Sequence, residues 1–151
     1  MYGEIWGIER IIDTLDRIHT DTAGGARVNI ALETTAATLG KSPEQIALII
    51  ERGKENSRLA FCLDTCHVFV AGYGLRTEQN YLDLFRRIGE IIGRKNLRVI
   101  HLYDSKREMG SRLDRHEDIG EGIIGEELFM LIMGDKSLTG VPKIMGTPRD
   151  I

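Results

Sequence analysis

FCLDTCHVFVAGYG, residues 61–74, decides how the chain is to be read. It runs as an apolar strand and then sets Asp64, Cys66 and His67 at its end, with Cys62 inside it. Polar groups taken out of water need partners, so a buried strand that finishes in lone-pair donors suggests a site. RLAFCLDT (58–65) is the strand itself, and three more runs share its apolar, β-branched character: RVNIALE (27–33), LRVIHLYD (97–104) and VPKIM (141–145).

Helical patterns fill the intervals. Ile8, Ile11, Ile12, Leu15 and Ile18 recur at helical spacing, as do Tyr81, Leu84, Phe85, Ile88, Ile91 and Ile92. KSPEQIALIIERG (41–53) predicts a helix with Ser42 as N-cap, Pro43 at the first position, Gln45 closing a capping box and Gly53 near the end. GEELFMLIMG (125–134) predicts the last helix, after a long polar loop that reaches about Gly122. The order α-β-α-β-α-β-α-β, with strands apolar throughout, predicts a single α/β domain over residues 1–151 built on a parallel sheet with covered faces. Glu33, Asp64, His101 and Asp104 fall at the C-terminal ends of these strands, the edge where open α/β sheets and (β/α)8 barrels place their chemistry. A closed barrel takes roughly 250 residues, so the four units here amount to half of one.

Composition narrows the class. With 42% hydrophobic and 28% charged residues the chain is an ordinary globular one, and its net charge of −3 gives no support for nucleic-acid binding by the domain as a whole. A bound cation would reverse the sign locally. Two cysteines are too few for a disulfide framework, which predicts a cytoplasmic location. MYGEIWGIER at the start reads as neither a signal peptide nor a membrane anchor.

Three of the four histidines lie at or just after strand ends: His67 three residues after Asp64, His101 on the third strand, His116 two after Asp114. Imidazole and carboxylate converging from different strands are what a zinc or manganese site needs. His19 ends a helix, where its charge suits the dipole, and Cys62 and Cys66 read as packing residues. GEGIIG (120–125) matches a dinucleotide fingerprint in letters, but a charged loop precedes it and Gly146 stands where an acid is due, so it reads as a turn feeding the last helix. Lys106, Arg107, Arg112 and Arg115 share one loop beside the candidate ligands and could hold phosphates.

The stretches ALETTA, CLDTCHVFVAGYGLRT, HLYDSKREMGSRLDRHEDIGEGIIG and GVPKIMGTP together resemble the C-terminal half of the endonuclease IV family, over nearly the whole chain. The resemblance implies a (β/α)8 TIM barrel, a trinuclear zinc cluster, and cleavage of double-stranded DNA on the 5′ side of abasic sites in base excision repair. By position it makes Glu33 a bridge between two zincs and the residue that positions the nucleophile. Asp64 and His101 then belong to one of those zincs, and His67, Asp114 and His116 to the third. Such a cluster lowers the pKa of a bound water toward ~7 and neutralises phosphate oxygens during in-line attack. Tyr73, Arg76, Lys106, Arg112 and Arg115 lie in loops resembling those that grip the DNA.

The departures from the family pattern are specific. MGTP stands where the family has L-E-T-P, so Gly146 replaces a ligand glutamate, and two ligand histidines fall on strands outside this chain. ETTAATLG is shorter than the family loop, Gly74 replaces an aspartate and Tyr103 an asparagine. The third zinc therefore keeps its full protein ligand set, while the first keeps only Glu33. A half-barrel leaves strand edges and an apolar inner face uncovered, which predicts self-association or a complementary N-terminal half. Two further readings stay open: a catalytically silent metal- or DNA-binding remnant, and a metal-dependent sugar isomerase of the same barrel superfamily. No membrane association is expected.

Overall fold

The computed structural model describes residues 2–22 and 28–146. Four strands form one parallel sheet: β1 (Ile30–Glu33), β2 (Leu59–Asp64), β3 (Leu97–His101) and β6 (Lys143–Ile144), in the order β1-β2-β3-β6. Helices α1 (Tyr2–Asp21), α2 (Pro43–Arg52), α4 (Glu78–Ile91) and α5 (Glu126–Gly134) alternate with them. Two elements have no counterpart in the expected order. A short helix α3 (Thr65–Val70) follows β2 directly, and an antiparallel pair, β4 (Asp104–Ser105) with β5 (His116–Glu117), closes the polar loop after β3. The strand expected from position 27 begins at Ile30, with Arg27 outside the described residues, and the expected 141–145 strand shrinks to two residues.

Packing follows the helical periodicity. Ile46, Ile49 and Ile50 of α2, Tyr81, Leu84, Phe85 and Ile88 of α4, and Leu128, Phe129 and Ile132 of α5 are all buried. On α1 the buried set is Ile8, Ile12 and Leu15, whereas Ile18 is exposed. The helices pack in sequence, α1 on α2, α2 on α4 and α4 on α5. β2 is buried along its whole length, so the expected uncovered apolar face does not run across the middle of the sheet. Exposure collects at the edge strands, on Ala31 of β1 and Ile144 of β6.

Caps hold as read, with two differences. Ser42 Oγ accepts from the Gln45 N–H at 3.4 Å, but the Gln45 side chain reaches past Ser42 to accept from the Gly40 N–H at 2.9 Å. His19 lies in the last turn of α1, yet its ring is buried and neither ring nitrogen has a hydrogen-bond partner among the described residues. The cation at that helix end is Arg58, which donates to the His19 carbonyl at 3.3 Å and to Thr22 Oγ1 at 3.1 Å.

Asp104 explains the glycine-rich turn. Its carboxylate is fully buried and accepts four backbone N–H groups, from Ser105 (2.7 Å), Gly120 (3.1 Å), Ile124 (2.8 Å) and Gly125 (3.1 Å). Gly122 lies so close that a Cβ there would collide with the carboxylate, and Gly125, at φ 84°, turns the chain into α5. GEGIIG is thus the wrapping of an aspartate, and Asp104, expected among the strand-end reactive groups, has no free oxygen to offer. An amide at this position would turn its NH2 toward two of those donors. Asp104→Asn is expected to lower stability by about 3 kcal/mol, the scale of leaving buried donors unmatched, as measured by urea unfolding.

Candidate metal centre

Parallel pairing brings the ligand-type residues to one edge. Glu33 of β1 is level with Cys62 of β2, and Asp64 is level with His101 of β3. The second pairing depends on a one-residue slip: Phe61 faces Leu97 but Cys62 faces Val99, which leaves Arg98 without a partner.

Asp64 ends β2 and caps α3. Its Oδ1 accepts from the His67 N–H at 2.9 Å, which places the imidazole beside the strand end. Its Oδ2 is buried with no hydrogen-bond partner among the described residues. The Nδ1–H of His67 donates to the Thr34 carbonyl at 2.8 Å. A carbonyl only accepts, so the proton sits on Nδ1 and Nε2 faces Asp114 Oδ2 at 3.1 Å. On the other side His101 Nδ1 lies 2.9 Å from Glu33 Oε1 and 3.8 Å from Asp64 Oδ2. His67 Nδ1 lies 3.6 Å from the same Glu33 oxygen. All six expected ligands therefore converge: Glu33, Asp64, His67, His101, Asp114 and His116.

Their grouping differs in detail from the expected sets. Asp64, His67 and His116 present donor atoms within 4.8 Å of one another, and so do Glu33, Cys62 and His101, and Cys66, Asp114 and His116. His116 Nε2 stands 3.1 Å from Asp114 Oδ1, but the approach angle makes no hydrogen bond, and the nitrogen is buried without a partner among the described residues. Two orphaned donors, Asp64 Oδ2 and His116 Nε2, amid carboxylates and imidazoles fit a divalent cation in chemistry and placement. Without a cation both thiols stay protonated at neutral pH. Burial pushes Cys62 up to about 12, helped by Glu33 and Asp64, and Cys66 up to about 11.

The expected basic residues are exposed on two segments. Lys106, Arg112 and Arg115 are exposed on the loop between β4 and β5, and Arg76 is exposed after α3. The loop is pinned to the end of α3, where the Gly110 N–H donates to Phe69 O and the Arg112 N–H to Val70 O. Arg112 adopts φ 58°, a left-handed conformation uncommon for its type. Tyr73 is tied to the same helix through its N–H to Val68 O, but its ring is half-buried with Arg87 over it at 5.6 Å, so its face is already engaged. Sequence reasoning passed over two contributors, Thr34 and Thr65. Thr65 Oγ1 donates to the Tyr103 carbonyl at 2.6 Å and accepts its N–H at 2.9 Å. Nothing in local sequence signals such a contact.

A parallel α/β sheet of four strands with ligand-type side chains gathered at its carboxyl edge defines a TIM-barrel type of protein, here spanning half the strands of a closed barrel. The chain belongs to the xylose isomerase-like TIM barrel family, whose model matches residues 2–151. Within it the likeness runs to endonuclease 4 proteins. The chain is 43% identical to a probable endonuclease 4 of Geobacter sulfurreducens over 97% of its length, covering 50% of that protein. It is 40% identical to an apurinic-apyrimidinic endonuclease of Caenorhabditis elegans over 92% of its length, covering 35% of that one. The crystal structure of endonuclease IV from Thermus thermophilus superposes with a TM-score of 0.83 at 29% identity, over 94% of this chain and 51% of the other. The chain thus spans about half the length, or less, of the relatives it matches. Among the described residues no helix is long and apolar enough to cross a membrane.

The centre sets a pH dependence. Burial draws the His67 pKa down, but Asp64 and Asp114 outweigh it and hold the ring above its ordinary value near ~6.5. Burial pushes the Asp64 carboxyl up against the pull of His67. Both groups then favour their protonated forms in the fold. Their stabilisation is complete below the unfolded pKa values and fades as pH rises through the folded ones. Chelator-treated protein is expected to melt progressively lower as pH rises from about 6 to 8. Added zinc should reverse that trend, because ligation displaces the same protons; melting curves across pH check both signs.

Proposed function

We propose that the chain contributes to a zinc-dependent endonuclease that hydrolyses the phosphodiester 5′ to abasic sites in double-stranded DNA. The observation that carries the reading is the convergence of three imidazoles and three carboxylates from β1, β2, α3, β3, β5 and the β4–β5 loop, with two buried donors left unpartnered. The similarity to endonuclease 4 proteins supports the same reaction.

Glu33, Asp64 and His101 would hold metal on one side of the cluster, and His67, Asp114 and His116 on the other. Zinc there would supply Lewis acidity toward phosphate oxygens and an acidified water. Glu33, half-exposed and paired with His101, would orient the attacking water and accept its proton. Lys106, Arg112 and Arg115 take the flanking phosphates as positioning contacts. Arg76, after α3, extends the basic rim. The sheet edges at β1 and β6 remain unpaired among the described residues, so either a second copy or a complementary half carrying the remaining strands would complete the barrel. A second reading, a metal- or DNA-binding chain without catalysis of its own, is favoured by Gly146, which brings no side chain to the carboxyl end of β6.

Elemental analysis of protein purified without chelator should find at least one zinc per chain, and His116→Ala should reduce it. Mixed with a polypeptide carrying the missing strands, the chain should nick abasic duplex in a chelator-sensitive way. Zinc uptake with no nicking in that mixture would favour the second reading, and absence of zinc would reject the first and leave of the second only DNA binding. Arg112→Ala should weaken binding to any duplex and lower the slope of log K against log salt by about 1.

A further inference from the structure

β3 and β6 leave the sheet side by side. His101 is level with Ile144, and the Leu102 N–H donates to the Ile144 carbonyl at 2.8 Å. Residues 103 and 146 therefore arrive together at the carboxyl edge. A Cβ at Gly146 would collide with the Tyr103 hydroxyl oxygen and lie 3.2 Å from its Cζ. The tyrosine thus fills the space that a side chain at 146 would need.

That ring is held in place from several directions. It stacks on His116 with centroids 4.0 Å apart at 12°, and meets His101 edge-on at 6.3 Å and 85°. Its backbone is fastened on both sides to Thr65 Oγ1, one residue after Asp64. The ring thus touches one candidate ligand from each side of the cluster, His116 with its face and His101 with its edge. Among the described residues the hydroxyl has no hydrogen-bond partner of its own.

We propose that Tyr103 supplies a metal-facing oxygen to the strand-end centre, and that glycine at 146 is what makes room for it. The inference rests on the metal-centre reading above. A hydroxyl on a rigid ring, stacked on one candidate ligand and edge-on to another, is a pre-placed donor.

Tyr103→Phe separates this role from packing, because it keeps the ring and both aromatic contacts and removes only the oxygen. Zinc affinity, measured on the full chain by competition with a chromophoric chelator, should fall on the order of 10-fold or more. The visible spectrum of the Co(II)-substituted protein should change, while the melting temperature of the metal-free form stays near that of the parent. Gly146→Ala should evict the hydroxyl and lower affinity to a similar degree, and the double variant should lose no more than either single one. Unchanged affinity and spectrum in Tyr103→Phe, with the parent chain binding zinc, would overturn the tyrosine's role and leave the metal centre standing. Additive losses at 103 and 146 would overturn it equally. A parent chain that takes up neither zinc nor Co(II) would remove the metal-centre reading and this inference together.

Discussion

The strand-end centre depends on the slip in pairing between β2 and β3. With unbroken register from Phe61 and Leu97, Asp64 would stand level with Ile100, which is fully buried and apolar. Neighbours in register point to the same face and successive residues to opposite faces. The unbroken sheet would therefore set Asp64 and His101 on different sides. Leaving Arg98 unpaired forfeits about 1 kcal/mol of ladder hydrogen bonding. In return the imidazole comes to the carboxylate, 3.8 Å away at its nearest oxygen. Arg98 itself turns to solvent, where an unpaired long cationic side chain is tolerated.

Two buried aspartates at this edge show how burial separates structure from chemistry. Asp104 and Asp64 are both fully buried. Asp104 accepts four N–H groups and is saturated, so it works as a clamp for the turn into α5. Asp64 spends one oxygen on the α3 cap and leaves the other orphaned. An unpartnered carboxylate oxygen in a dry interior is destabilising unless something cationic approaches it. His67, with its raised pKa, is the protein's own partial answer, and a divalent cation would be a fuller one.

The alternation of helices and strands was legible because each helix carries a buried stripe at period 3.6 and each strand is short and apolar. Glu33, Asp64 and His101 were legible for a related reason, since a strand of known direction delivers its last residues to one edge, whereas the grouping of His67, Asp114 and His116 came with the family resemblance. α3 was not, since CHVFV is apolar on every side and reads as a continuation of β2, with the N-cap hidden in an aspartate already given another role. β4 and β5 were invisible because two residues carry no period. The roles of Asp104, Thr65 and Tyr103 needed the fold, being contacts between residues 16 to 43 positions apart. His19 misled because its place in the helix was right while its burial was set by tertiary packing.

The two sides of the cluster differ in what they owe to the rest of a barrel. Glu33 stands on β1, an edge strand paired on one side only among the described residues, and Gly146 follows β6, the other edge. Parallel strands deliver their carboxyl ends to a common edge, so any chain that pairs with β1 or β6 also brings new side chains next to Glu33 and Tyr103. On that side, completing the sheet and completing the centre are one event. His67, Asp114 and His116 are held by α3 and the β4–β5 pair, which lock onto each other through Gly110 and Arg112 and onto β3 through Thr65. To these is added the His67 Nδ1–H bond to the carbonyl of Thr34, directly after β1 in the same chain. Local order on this side therefore comes from contacts within the chain itself.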